Sequence, residues 1–171
     1  MHRVNRYTTK MKILRVLLLL VSTVFAEEAT VVKIFDGDTI QVNNNGTIQT
    51  VRFLGIDTPE ISFNEKLLQD SKRTKQSKEK IIELGLKSKA YLESILSLGD
   101  KVKLEYDINR YHNNRILAYV YSDSGDMLNL KLLESGFATT MTIPPNVKYQ
   151  ETFKNAQNLA RREKKGLWNE Q

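Results

Sequence analysis

The sequence predicts a single α+β domain, and three observations carry that prediction. Five short stretches have strand signals, helical periodicity follows the third and the fifth, and 171 residues suit one domain with a sizeable core. A composition of 40% hydrophobic and 27% charged residues matches a globular body. The chain has no cysteine, which excludes disulfide frameworks, thiolate zinc sites and thiol nucleophiles.

The chain opens on a leader. Val16 to Ala26 is an uncharged run that follows Arg3, Arg6, Lys10, Lys12 and Arg15. It ends on Val24-Phe25-Ala26, and Glu27-Glu28 come next. This charged, apolar, small-residue order is that of a signal peptide over residues 1–26, with a mature body over 27–171. The expected location is secreted or periplasmic; left uncleaved, the same run would be an N-terminal membrane anchor.

Ala29 to Phe35, Thr39 to Val42 and Thr47 to Leu54 read as the first three strands, with a turn signal at Asn43-Asn44-Asn45-Gly46. In the third, Val51 and Phe53 share one face and Arg52 is expected on the other. Ser62 to Lys80 is polar and lysine-rich, and reads as a mobile loop or a solvated helix start. Ile81, Leu84, Ser88, Tyr91, Ile95 and Leu98 then fall at helical steps, so a helix is expected to about Ser97, with Gly99 as its stop. Lys101 to Asp107 and Arg115 to Tyr121 are the fourth and fifth strands. A short helix ending near Gly136 and a last one from about Tyr149 to Lys165 complete about three helices. A closed five-stranded barrel is one way such strands avoid exposed edges, although periodicity alone does not select it. Trp168 reads as a packing anchor.

The formal net charge is +6, yet it says little about partners. Five of the 26 basic residues and none of the acids lie in residues 1–26, so the body carries 21 basic residues against 20 acidic ones. Any anion must be bound by local arrangement rather than by overall charge.

Two short motifs supply that arrangement. Asp36-Gly37-Asp38-Thr39 lies between two strands, where paired carboxylates can converge on a hard cation, though Asp and Gly are also ordinary turn residues. Asp57-Thr58-Pro59-Glu60 follows the third strand and adds two carboxylates just past Arg52. Arg115 enters the fifth strand. Two guanidinium groups near a carboxylate cluster suit a phosphate, because each offers paired donors.

At these residues the chain resembles the staphylococcal nuclease family. Asp36 to Thr39, Arg52 with Asp57 to Glu60, Arg115 to Tyr119, Asn129 to Ala138 and Lys164 to Trp168 carry the likeness through most of the body. The resemblance implies an OB-fold barrel with about three α-helices and a calcium-dependent nuclease acting on DNA and RNA. It implies that Asp38 and Asp57 bind Ca²⁺ by side chain and Thr58 by its carbonyl, with Asp36 close by. It implies Glu60 as general base and Arg52 and Arg115 as the phosphate-binding arginines. Single-stranded or frayed nucleic acid is the expected substrate, and a monomer without a stable protein partner the expected state. The alternative is a nucleic-acid-binding module without catalysis. Two departures stand out. His112-Asn113 replaces a frequent lysine-tyrosine pair, and Thr139 to Ile143 lacks the tyrosines that help hold a nucleotide. Because the site residues line a cleft, variants at them are expected to stay folded.

Overall fold

The computed structural model describes residues 27–170, so the leader expected over residues 1–26 lies outside the described residues. In chain order the strands and helices are β1 (Glu27–Ile34), β2 (Thr39–Asn44), β3 (Thr47–Phe53), β4 (Ile56–Asp57), α1 (Glu65–Thr74), α2 (Lys78–Ile95), β5 (Lys101–Glu105), β6 (Tyr111–His112), β7 (Arg115–Ser122), α3 (Leu128–Glu134), β8 (Thr139–Thr140) and α4 (Gln150–Arg162). A 3₁₀ turn over Gly166–Glu170 follows.

β1, β2 and β3 form an antiparallel meander, β1 also pairs with β5, and β5 with β7. Parallel pairing of β3 with β7, Val51 opposite Ile116 and Phe53 opposite Ala118, closes the ring. The five long strands thus make the OB-fold barrel, and closure leaves no free edge along that seam. Short β6 folds back on β7, while β4 and β8 pair as a separate ribbon.

Alternation puts Ile40, Val42, Val51, Phe53, Val102 and Leu104 into the core. β7 does not alternate: Ile116 to Val120 are all buried. One face of β7 lines the barrel and α3 packs on it from outside, so both faces are covered.

The polar stretch from Ser62 to Lys80 is more ordered than the sequence suggested. It holds a helix of its own, α1, which makes four α-helices instead of about three. Asn64 caps α1 by accepting from the Leu67 amide at 2.8 Å, and Leu67 is fully buried. That one buried leucine pins an otherwise polar helix to the body, which a periodicity count over mostly charged residues does not register. Lys75 ends the helix with left-handed backbone (φ 60°), and Ser77 caps α2 two residues later. α2 ends at Ile95 rather than near Ser97.

Asn129, completely buried on α3, ties the barrel together. Its Oδ1 accepts from the Val120 amide at 2.8 Å and its Nδ2 donates to the Leu54 carbonyl at 2.8 Å. Asn129→Ala would strand buried backbone groups on β7 and beyond β3. The expected loss is about 1–3 kcal/mol for each group left unpaired, read as a lower Tm and lower denaturant midpoint. An unchanged midpoint would show that water replaces the amide.

Candidate active site

The acid-bearing motifs meet at one end of the barrel because α2 serves both as a platform. At the turn between β1 and β2, the Asp38 amide donates to Asp36 Oδ1 at 3.0 Å. The Asp38 side chain is buried. Its Oδ2 accepts from the Thr58 amide at 2.7 Å and from Thr58 Oγ1 at 3.0 Å, while Oδ1 accepts from Thr39 Oγ1 at 3.0 Å. A side chain at Gly37 would come within 2.8 Å of Ser88 Cβ on α2 and 2.9 Å of Thr58 Cγ2. A side chain at Gly85, also on α2, would lie 2.4 Å from the Glu60 carbonyl oxygen and 2.6 Å from that of Pro59. Both glycines therefore let the acid loops sit directly on the helix. Sequence reasoning overlooked Gly85, whose only outward sign is a glycine inside a helical pattern.

Arg52 is not left in solvent. It is 9% exposed, forms an ion pair with Asp38, and its Nη2 lies 2.6 Å from Asp57 Oδ1. One guanidinium is thus held between the two acids expected to bind metal. β4 carries Asp57 and pairs with β8, so Asp57 faces Thr139. Threonine therefore stands beside the acid in the segment where tyrosines were missed.

Glu60 is held on both oxygens: Asn64 Nδ2 donates to Oε2 at 2.5 Å and Lys66 Nζ to Oε1 at 2.8 Å. Lys66 also lies 3.2 Å from Asp57 Oδ2 and 3.4 Å from Asp70 Oδ2. Burial works against the charge on Lys66, but the carboxylates of Asp57 and Glu60 outweigh it and hold the ammonium above the ordinary lysine value. Asn64 and Lys66 both come from the polar Ser62–Lys80 stretch, which leaves directly from Glu60, but neither was singled out in the sequence as a partner of the acids.

Arg115 opens β7, one residue before the Ile116 that pairs with Val51, so its strand adjoins that of Arg52. Burial raises the pKa of Asp36, and Arg52 and, more weakly, Arg115 oppose that rise. His112 is exposed on β6, opposite Arg115, and makes no contact with the acids.

The site is therefore a cluster of oxygen donors interleaved with cations. Among the described residues no three acids are gathered closely enough to clasp an ion by themselves. The donor chemistry nevertheless fits a hard divalent cation: Asp38 and Asp57 already share one positive group, and Asp36 lies beside them where burial disfavours an uncompensated charge.

Comparison with known proteins decides the family. The profile of the staphylococcal nuclease homologue family matches residues 50–170. The chain belongs to that family. It is 35% identical over 141 residues to a thermonuclease of Staphylococcus hyicus, covering 81% of this chain and 73% of the relative. It is 30% identical over 143 residues to a thermonuclease of Staphylococcus intermedius, covering 83% and 76%. Endonuclease YhcR of Bacillus subtilis (strain 168) is 32% identical over 148 residues, which span 84% of this chain but only 11% of that much longer protein. The chain is accordingly a nuclease, a hydrolase of phosphodiester bonds, and its substrate is nucleic acid.

Proposed function

We propose that this nuclease is calcium-dependent and cuts DNA and RNA by direct attack of water, with single-stranded or frayed segments favoured. The observation that carries the reading is the Arg52 guanidinium seated between Asp38 and Asp57, with Glu60 three residues beyond Asp57. Asp38 and Asp57, with the Thr58 carbonyl, would hold Ca²⁺, which when bound offsets charge on the phosphoryl oxygens.

The remaining chemistry falls to the chain itself. Glu60, whose position is fixed by Asn64 and Lys66, is the carboxylate that would accept a proton from the attacking water. Arg52 and Arg115 supply fixed guanidinium donors where negative charge grows on the phosphate. An unpaired strand reaches such a cluster on a barrel end more readily than a stacked duplex does. A secreted or periplasmic monomer, released from its leader after Ala26, completes the reading. Among the described residues no helix is long and apolar enough to cross a membrane.

Cleavage of single-stranded DNA should require Ca²⁺, stop with a chelator and resume when Ca²⁺ is returned. Mg²⁺ should support it poorly, because its tight octahedral shell suits a cluster of carboxylates and a carbonyl less well. The rate should rise toward alkaline pH as water is more easily deprotonated. Full activity in excess chelator would overturn the reading. Binding of oligonucleotides without any cleavage would favour the non-catalytic alternative.

A further inference from the structure

A pocket of about 110 Å³ opens beside the acid cluster, between α1, α2 and the C-terminal turn. Asp57 and Thr58 form its inner wall. Leu84, Ala138, Leu167 and the indole of Trp168 give it a mainly apolar lining. The pocket takes its outer wall from α1, the helix the sequence did not foresee, and so exists only because that segment folds onto the body.

We propose that this pocket receives an unpaired nucleobase of the substrate strand, one nucleotide away from the phosphate held at Arg52 and Arg115. The inference rests on the nuclease reading for the position of that phosphate. Three observations favour a base as the occupant. The pocket is continuous with the acid cluster through Asp57, so a strand lying across that cluster must pass its mouth. Its lining is apolar and includes an indole, which suits the π-face that every base carries. Its rim is polar and charged, with Asp70, Arg73 and Thr74 on α1, which suits the edge of a base and the backbone beside it.

The indole is also fixed in advance. Gly136 approaches it so closely that an added Cβ would lie 3.1 Å from Cδ1, and the Arg161 guanidinium stands 5.3 Å from the ring centroid. Trp168 Nε1 is enclosed and makes no hydrogen bond, so packing and the Arg161 guanidinium set the ring. A stacking surface held this way loses little freedom when a base arrives. Trp168 is the only tryptophan in the chain.

That single tryptophan makes the proposal directly measurable. The full-length protein is titrated with a phosphorothioate-linked oligothymidylate and with versions that carry one abasic position each. A saturable change in Trp168 fluorescence is expected, lost when one particular position lacks its base. Thr74→Phe, which fills the pocket mouth from an exposed position, should abolish the change. It should raise KM roughly tenfold on base-bearing DNA, the scale of one lost stacking contact. It should leave kcat unaltered, and leave KM unaltered on DNA abasic at that position. A fluorescence response identical for every abasic oligomer, or absent at saturation, would overturn the base site, as would an unchanged KM for folded Thr74→Phe. A Trp168 response without cleavage by the unaltered protein would keep the base site and count against the nuclease reading.

Discussion

Glu60→Gln and Arg115→Ala are each expected to lower kcat on single-stranded DNA on the order of 100-fold or more. Glutamine keeps the size of Glu60 and a carbonyl oxygen for Lys66, yet it cannot accept a proton. Arg115→Ala removes a charged donor from the first residue of β7, whose influence on buried Asp36 is weaker than that of Arg52. Both proteins should unfold near the midpoint of the unaltered chain, because Glu60 and Arg115 are only partly buried. Calcium affinity, measured by calorimetry, should change little for Arg115→Ala. Near-normal turnover by either folded variant would remove that residue from the mechanism.

Arg52→Ala should behave differently, losing stability along with activity. The expectation that variants at the site stay folded took the changed groups to lie at a cleft, whereas Arg52 and Asp38 are buried. Removing the guanidinium leaves Asp38 buried without its cation and takes from Asp57 its closest partner. Breaking a buried pair on one side costs about 3–5 kcal/mol. The double variant Arg52→Met with Asp38→Asn should recover part of that stability, since no unpaired charge is left inside, but none of the activity. A double-mutant cycle read by denaturant unfolding measures the coupling. Additive effects would show that the two residues do not depend on each other.

The parts of the site legible in the sequence were those encoded within a few residues. Asp36 to Thr39 and Asp57 to Glu60 announced themselves because each motif is its own turn, with glycine or proline beside the acids. The core side of β3, with Val51 and Phe53 on one face, was legible from alternation. Arg52 was expected on the face opposite Val51 and Phe53, but alternation alone could not show that two acids receive its guanidinium. Lys66, Asn64 and Gly85 were missed because their importance depends on α1 and α2 folding against the Asp57–Glu60 segment. Leu67 is the one buried residue of α1, too slight a signal to stand out from the lysines around it.

The parallel seam between β3 and β7 also sets the order in which this protein can acquire its fold. β1, β2 and β3 are neighbours in sequence and can pair as soon as they exist. The barrel cannot close until residues 115–122 arrive, some sixty positions after β3. Contacts between segments so far apart must first overcome the entropy of the intervening loop, which slows folding. Arg115 sits at the head of the late strand and Arg52 on the early one, so the two guanidinium groups come together only at that closing step. A chain cut short before β7 would hold both acid motifs and still lack the second arginine. With Arg115 in the role proposed for it, assembly of the site is tied to that one long-range pairing.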